Sequence, residues 1–388
     1  MVMSSQTEKS FIFDCLNAFI HEAEGSPPLR NRRVSKLCWD RTIKMGRTGR
    51  ILPFLIHAMG QTGLSKRLSK KEQIQFQGLM LCAEAENRQK LKEFKAISEL
   101  FARHDIPLIP LKGIAFTYLL YQKTPLRSMG DIDILIKTDD LEKAQGVLLQ
   151  NGFAFSEITN RWQAKPTMKV IGRWSFKKEN IDVDLQWAPK FFTQAGLSAW
   201  NEKDAWQRAE PDEALGQNVY TLSAIDQFLY LSLQILNDIE INRFYTIQLL
   251  DLALLIKTCG IRRDAVLNAL ASNPGLRTLV RDLYDDVNEC FFKNKPYLEL
   301  SSGAKKILDR FLESSSKPER GFALKKILNT VQSPWERFLF VLGYFFPRQI
   351  MPEKNSSPRV FEVFLFYVNH WKKQFSSLFK LLSRQRQS

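Results

Sequence analysis

The sequence of 388 residues is poor in cysteine and histidine, with five Cys and four His. The cysteines lie far apart and form no CxxC pair, so the sequence indicates neither a disulfide framework nor a cysteine zinc site. The histidines show no HExxH spacing, and we expect them to be structural. Scattered cysteines fit a reducing compartment, and we therefore expect a cytoplasmic protein.

Long uninterrupted apolar runs are also missing. The most apolar stretches, residues 335–347 and 360–367, are shorter than the roughly 20 residues needed to span a bilayer, so no transmembrane segment is predicted. The first ten residues lack the basic start and apolar core of a secretory signal. No GxGxxG, P-loop or GxSxG motif occurs, which leaves the dinucleotide-binding, P-loop and hydrolase classes without support.

Apolar and basic residues, in contrast, are plentiful. Apolar residues make up 44% and aromatic residues 12% of the chain, which is enough for a packed interior and argues against wholesale disorder. The net charge is +15, and residues 301–388 carry 16 Lys and Arg against 6 Asp and Glu. This basic region is suited either to attract nucleic acid, anionic lipid or a polyanionic substrate, or to form the solvated face of a helical domain.

Hydrophobic periodicity divides the chain into four predicted parts. These are a helical N-terminal segment, an α/β core, a helical domain and a basic amphipathic C-terminal helix, over residues 1–104, 105–215, 216–358 and 359–388. Helices are predicted over residues 11–21, 39–59, 70–103, 114–122, 139–151, 224–237 and 244–257, and strands over 106–111, 131–137, 153–158, 169–177 and 181–187. The C-terminal helix is suited to a membrane surface or to docking on its own domain.

The most informative motif is an Asp-x-Asp pair in the predicted strand over residues 131–137. Because side chains alternate along a strand, Asp131 and Asp133 point to one face and the intervening isoleucines to the other. Aspartate is disfavoured in strands, and two like charges about 7 Å apart destabilise the fold unless a cation neutralises them. The pair therefore indicates either a divalent cation site or an edge strand that exposes two carboxylates to solvent.

A second acidic strand repeats this alternation. Asp182, Asp184 and Gln186 share one face of the predicted strand over residues 181–187, so Asp182 or Asp184 can supply a third carboxylate. Three carboxylates can hold two Mg²⁺ ions, or Mn²⁺ in their place, together with substrate phosphates.

Phosphate also needs donors. Lys112 and Gly113 stand at a predicted strand-to-helix junction, where an ammonium, exposed backbone N–H groups and a glycine permit close approach of an anion. Arg127, four residues before the first aspartate, is a second candidate to contact a triphosphate or an acceptor. Asp251 lies inside an apolar predicted helix, where a structural pairing and a role in orienting an acceptor are both open.

These motifs, in this order, resemble a known family. The chain resembles the uncharacterised bacterial nucleotidyltransferases of the DNA polymerase beta superfamily. The similar segments are the runs at residues 108–113 and 127–136, the helix ending at 151–153, the acidic strand at 182–187 and the helices at 224–237 and 248–253. The helical lead-in at 39–64 is similar as well, so the resemblance covers about residues 35–260.

The resemblance implies an α+β fold with a mixed, nucleotidyltransferase-like β-sheet core and flanking helices. It implies that Asp131, Asp133 and Asp184 are the catalytic and metal-binding carboxylates, and that Lys112 and Gly113 stand at the phosphate-contacting turn. Two departures accompany it. Gln186 occupies a position where the family often has histidine, and Lys112-Gly113-Ile114 replaces the glycine-serine pair of better-studied superfamily members.

We expect a bacterial, metal-dependent nucleotidyltransferase that transfers a nucleoside monophosphate from an NTP to an unidentified acceptor. Two alternatives stay open. The first is a catalytically inactive binding protein of the same fold that recognises nucleic acid, anionic lipid or a partner through its basic C-terminal region. The second is a protein AMP-transferase, which uses the same metal chemistry on a side-chain acceptor.

Overall fold

The computed structural model describes residues 6–21, 37–121, 126–156, 172–313 and 334–335, and of residues 197–199 it describes only the backbone. The predicted basic helix over residues 359–388 lies outside these ranges, as does most of the basic region after residue 313. None of the described helices combines the length and apolar character that crossing a membrane requires.

A mixed five-stranded sheet forms the centre of the α/β core. Its strands are β1 Leu108–Leu111, β2 Ile132–Ile136, β3 Ala154–Phe155, β4 Arg173–Lys178 and β5 Ile181–Gln186. They lie side by side in the order β1-β2-β5-β4-β3. β2 and β5 run parallel, whereas the other neighbours are antiparallel. Two short hairpins follow, formed by β6 Lys190–Thr193 with β7 Gly196–Ala199 and by β8 Glu210–Pro211 with β9 Tyr220–Thr221.

Helices precede, flank and follow the sheet. On the N-terminal side they are α1 Gln6–Ile20, α2 Trp39–Thr48, α3 Leu52–Gln61 and α4 Lys70–Arg103. Within the core they are α5 Gly113–Leu119, α6 Leu141–Gln150 and α7 Glu202–Arg208. On the C-terminal side they are α8 Ala224–Glu240, α9 Thr246–Cys259, α10 Arg263–Ala269, α11 Pro274–Phe292 and α12 Ser302–Glu313. The predicted α+β fold, with a mixed sheet and helical segments on both sides of it, is confirmed.

Alternation along β2 determines which way the carboxylates face. Ile132, Ile134 and Ile136 are fully buried in a hydrophobic cluster with residues of α4 and α6. Leu135 points the other way, into a second cluster that contains residues of α8 and α9. Asp133, two residues before Leu135, shares this second face, so its carboxylate lies between the sheet and the C-terminal helices.

The second cluster joins the two ends of the described chain. It contains apolar residues of α1, α3, α8, α9 and α11, all packed into one core. The helices of the predicted N-terminal segment and of the predicted helical domain therefore share a hydrophobic core beside the sheet. The division into four parts that the sequence predicts stays a prediction.

One predicted helix is interrupted in the structure. The sequence predicts a single helix over residues 39–59, but α2 ends at Thr48 and α3 begins at Leu52. Gly49 packs so closely against Thr246 that an added Cβ would lie 2.4 Å from its Oγ1. Arg50 then adopts the left-handed region with φ 59°, which no helix interior accommodates. The prediction was wrong here because Pro53 has no N–H to donate to the Gly49 carbonyl, which instead accepts a hydrogen bond from the Ile247 N–H.

A buried ion pair ties the core to the C-terminal helices. Asp251 on α9 is fully buried and accepts hydrogen bonds from Arg127 Nη2 at 2.6 Å and from the Tyr121 hydroxyl at 2.6 Å. Arg127 Nε donates to the same carboxylate at 3.1 Å. Of the two roles left open for Asp251, the structural pairing is observed, and the buried carboxylate supports the segment that leads into β2.

We predict that Asp251→Asn lowers the free energy of unfolding by about 3 to 5 kcal/mol, because it leaves the buried Arg127 guanidinium without its counter-charge. Urea unfolding followed by circular dichroism measures the change. Asp264→Asn is the matched control, since the side chain of Asp264 is 69% exposed and its loss should change stability by less than about 0.5 kcal/mol. Equal stability of the two variants would show that the pair does not support the fold.

Candidate active site

The parallel pairing of β2 with β5 places Asp133 directly beside Asp184. Asp131 lies just before β2, and each of the three residues offers a carboxylate oxygen within 4.8 Å of the other two. Asp182, the other candidate for the third carboxylate, is half exposed and lies 3.9 Å from Lys177. The structure thus brings Asp131, Asp133 and Asp184 together and leaves Asp182 outside the cluster.

Asp133 is nearly fully buried and is held from two sides. Lys112 Nζ lies 2.9 Å from its Oδ1, and Gln186 Nε2 donates a hydrogen bond to the same oxygen at 2.9 Å. The Tyr230 hydroxyl donates to Gln186 Oε1 at 2.7 Å, so reversing the amide would lose both bonds. Gln186, at the position where the family often has histidine, therefore orients a carboxylate of the cluster.

The other two carboxylates also have polar neighbours. Ser175 Oγ donates to Asp184 Oδ1 at 2.6 Å, and Arg173 Nη1 lies 4.0 Å from Asp184 Oδ2. Arg50 Nη1 lies 4.0 Å from Asp131 Oδ1. Each carboxylate thus has a cationic side chain within 4.0 Å, which offsets the mutual repulsion of the cluster.

The electrostatic environment shifts the pKa values of the two carboxylates of the Asp-x-Asp pair in opposite directions. Burial raises the pKa of Asp133 to about 7, and the charges of Asp131 and Asp184 add to this rise while Lys112 opposes it. Burial acts in the same direction on Asp131, but Lys112 and Arg50 outweigh it, so the pKa of Asp131 is lowered. Burial therefore favours a proton on Asp133 and not on Asp131, and a divalent cation would compete with that proton.

The Lys112-Gly113 turn connects β1 to α5 and is closely packed. Lys112 has φ 47°, a left-handed conformation that is strained for a residue other than glycine. A Cβ on Gly113 would lie 3.0 Å from both Arg127 Nη1 and Met129 Cγ, so the turn has little room for a side chain. The ion pair between Lys112 and Asp133 offsets the backbone strain and holds the ammonium at the carboxylate cluster.

Arg127 borders the cleft and is held mainly by Asp251. Its Nε and Nη2 bind Asp251, its backbone carbonyl accepts a hydrogen bond from Asn87 Nδ2 at 2.9 Å, and its Nη1 lies beside Gly113. Most of the Arg127 guanidinium thus binds Asp251, and only its Nη1 contacts the Lys112-Gly113 turn. Its predicted nucleotide-binding role stays a prediction.

Two residues of the site were not predicted, although the sequence contains a pattern that indicates them. β4 and β5 form a hairpin in which Arg173 pairs with Gln186 and Ser175 pairs with Asp184. Cross-strand partners of an antiparallel pair point to the same face, so Arg173 and Ser175 share the face of the carboxylates. Because β4 and β5 form a hairpin, the alternation of side chains along β5 continues into β4 and predicts that Arg173 and Ser175 face the carboxylates.

Arg50, Arg243 and Tyr245 form a second group that was not predicted, and no local sequence pattern indicates that they meet. Arg50, from the break between α2 and α3, lies 4.2 Å from the ring centroid of Tyr245. Arg243 lies 5.2 Å from the same centroid, and its Nε donates to the Tyr245 hydroxyl at 3.0 Å. The Ile247 N–H donates to the Gly49 carbonyl at 3.0 Å, which fixes the break against the start of α9.

The three carboxylates and their cationic neighbours line one cleft between the sheet and the C-terminal helices. The carboxylate cluster and the Lys112-Gly113 turn form one wall, and Gln234, Asp238 and Gln248 belong to the other. Five Lys and Arg side chains and four Asp side chains line the cleft. Because Mg²⁺ prefers carboxylate oxygens and brings phosphate groups with it, this combination is suited to a divalent cation together with a phosphate-bearing molecule.

Comparison with known proteins agrees with the sequence resemblance. The profile of a family described as uncharacterised nucleotidyltransferase matches residues 35–291, more than half of the chain. No curated protein matches the sequence. Among solved structures, the solution structure of the antibiotic-resistance factor ANT(2'')-Ia is similar at a TM-score of 0.33 and 11% identity, over 51% of this chain and 92% of that one.

We predict that Gly130→Ala displaces Arg50 from Asp131. An added Cβ would lie 2.3 Å from Arg50 Nη2, and the guanidinium is the end of a flexible side chain that can move away. Losing a cation beside Asp131 removes repulsion toward Mn²⁺, so Mn²⁺ should bind about fivefold more tightly, corresponding to ~1 kcal/mol for a partly exposed charge. Mn²⁺ binding is measured by electron paramagnetic resonance.

Arg50→Gln should reproduce this effect, and the double variant should not exceed either single change. Gly146→Ala on α6 is the control, because its Cβ would meet no atom within 4 Å. Unchanged Mn²⁺ affinity in Gly130→Ala would show that Arg50 does not act on the cluster.

We also predict that cation binding depends on pH through Asp133. Its raised pKa means that the carboxyl is protonated below about pH 7, and the proton must leave before a cation binds. Mn²⁺ affinity should therefore be about tenfold weaker at pH 6 than at pH 8. Asp133→Asn should bind weakly at both pH values, and equal wild-type affinities at pH 6 and pH 8 would contradict the assignment.

Proposed function

The chain belongs to the uncharacterised nucleotidyltransferase family, and from this premise we propose that it transfers a nucleoside monophosphate from an NTP to a hydroxyl or phosphate acceptor. In this reaction an acceptor oxygen forms a bond to the α-phosphorus while the bond from that phosphorus to the bridging oxygen breaks. Pyrophosphate leaves with the bond electrons. The observation that carries the proposal is the cluster of Asp131, Asp133 and Asp184 within 4.8 Å.

The donor set fits a hard divalent cation. Three carboxylates from two adjacent parallel strands offer only oxygen, and hydrogen bonds from Gln186 and Ser175 orient two of them. We propose that Asp131, Asp133 and Asp184 would hold two Mg²⁺ ions, or Mn²⁺ in their place. When bound, such ions make an attacking oxygen more acidic and stabilise charge on the transferred phosphoryl group and the leaving pyrophosphate.

The side chains of this protein would supply position and charge. Lys112, buried beside Asp133, would place its ammonium near the triphosphate, and the Gly113 amide would approach the phosphates at a turn that excludes a side chain. Asp184 would favour deprotonation of the acceptor beside a bound ion and take up its proton, and the Ser175 hydroxyl and Arg173 hold its two oxygens in place. Holding these groups in advance of substrate binding lowers the barrier.

Asp→Asn substitutions test the proposal. Titration calorimetry with ATP, GTP, CTP and UTP in the presence of Mg²⁺ should detect binding of at least one NTP by the wild type. Asp131→Asn, Asp133→Asn and Asp184→Asn should each weaken that binding about tenfold or more, because each removes a charged ligand. Asp182→Asn is the matched control on the same strand and should bind as the wild type does. Equal NTP binding by the wild type and all four variants would contradict a metal site at Asp131, Asp133 and Asp184.

The product identifies the kind of acceptor. The wild type is incubated with α-³²P-labelled NTP, Mg²⁺ and a cell extract, and the label is followed into small molecules and into proteins. Labelled small molecules support the proposed transfer, whereas labelled protein side chains indicate a protein AMP-transferase. NTP binding without pyrophosphate release in any extract would indicate a binding protein with a silent site.

A further inference from the structure

One buried tyrosine adjoins the two donors that hold Asp133. Tyr230 on α8 is 2% exposed, and its hydroxyl donates a hydrogen bond to Gln186 Oε1 at 2.7 Å. Lys112 Nζ lies 5.9 Å from the centroid of the Tyr230 ring. Tyr230 therefore contacts the amide and faces the ammonium that both bind Asp133 Oδ1.

Aromatic packing fixes the position of the Tyr230 hydroxyl. Phe191 on β6 meets the Tyr230 ring edge to face at a centroid distance of 5.4 Å, and Trp200 does so at 5.2 Å. Both of these neighbours are buried. A ring packed from two sides keeps its hydroxyl at Gln186, so this hydrogen bond is formed before a cation or a substrate binds.

The chain of hydrogen bonds from Tyr230 to Asp133 runs in one direction. An ionised carboxylate only accepts, so Gln186 turns its Nε2 to Asp133 and its Oε1 to the hydroxyl, which donates. Gln186 is 2% exposed, so without the hydroxyl its Oε1 would be buried and would lack a donor. Rotation of the amide toward the Lys112 ammonium would satisfy Oε1 but would withdraw Nε2 from Asp133.

The two donors occupy one oxygen of Asp133. Lys112 Nζ and Gln186 Nε2 each lie 2.9 Å from Oδ1, so these contacts leave Oδ2 available for a cation. We propose that Tyr230 is a positioning residue of the metal site, which acts through Gln186 to hold Asp133 in the orientation that binds the cation. The inference rests on the proposed function, in which the carboxylate cluster holds divalent ions. Hydrogen-bond partners of a ligating side chain set its orientation, and the loss of one weakens metal binding about 10- to 100-fold.

Tyr230→Phe in the full chain tests the inference, because it removes the hydroxyl and keeps the ring that packs on Phe191 and Trp200. We expect this variant to bind Mn²⁺ about tenfold more weakly than the wild type, measured by electron paramagnetic resonance. At saturating Mn²⁺ the zero-field splitting of the bound ion should also change, because this splitting reports how the ligands are arranged. A purely structural role of the hydroxyl would lower stability and leave the spectrum of bound Mn²⁺ unchanged.

Tyr284→Phe is the matched control. Tyr284 on α11 is buried, and its hydroxyl donates to the Ile261 carbonyl at 2.9 Å, so this variant loses a comparable hydrogen bond outside the residues that line the cleft. Its Mn²⁺ affinity and spectrum should match the wild type, and thermal unfolding verifies that each variant is folded.

A double variant tests the route through the amide. Gln186→Leu should also weaken Mn²⁺ binding about tenfold or more, because it removes a donor to Asp133. Tyr230→Phe combined with Gln186→Leu should bind Mn²⁺ no more weakly than Gln186→Leu alone, because the hydroxyl acts through the amide.

The outcomes separate this inference from the proposed function. Failure of the wild type to bind Mn²⁺ would overturn the metal site of the proposed function, and this inference with it. Mn²⁺ binding by the wild type, with the same affinity and spectrum in Tyr230→Phe, would overturn only the role of Tyr230. Additive losses in the double variant would show that Tyr230 does not act through Gln186 and would likewise overturn the inference.

Discussion

Repulsion among three carboxylates held within 4.8 Å is the constraint on which the candidate site depends. The protein offsets this repulsion with cations supplied by remote segments: Lys112 after β1, Arg50 between α2 and α3, Arg173 on β4 and Arg243 between α8 and α9. Hydrogen bonds to Asp133 and Asp184 then fix where the carboxylate oxygens lie. The cluster therefore forms only where the sheet and the helices of both ends meet.

The sequence contains most of the information for the sheet and for the carboxylates. Alternation predicted that Asp131 and Asp133 share a face, and a second alternating strand offered Asp182 and Asp184 as equal candidates. The family resemblance points to Asp184, and the parallel register of β2 and β5 places Asp184 beside Asp133, whereas a shift by two residues would exchange the two aspartates. Pairing register depends on tertiary packing, so periodicity alone could not resolve it.

Sequence reasoning failed where a helix-breaking residue and remote contacts act together. The segment around Gly49 has helical periodicity, yet Pro53 cannot donate to the Gly49 carbonyl, which pairs with Ile247 instead. Arg127 has the charge of a phosphate ligand, yet the buried carboxylate of Asp251 binds most of its guanidinium. Both contacts involve α9, which the sequence predicts as a helix without indicating what it contacts.

The most direct measurement of the central claim is the location of bound metal. Crystals of the full chain grown with Mn²⁺ and a non-hydrolysable NTP analogue would reveal the metal by its anomalous scattering. The account predicts Mn²⁺ with carboxylate oxygens of Asp131, Asp133 and Asp184 as ligands, at distances of about 2.1 to 2.2 Å. Anomalous density elsewhere, or ordered nucleotide in the cleft with no metal at these three residues, would contradict it.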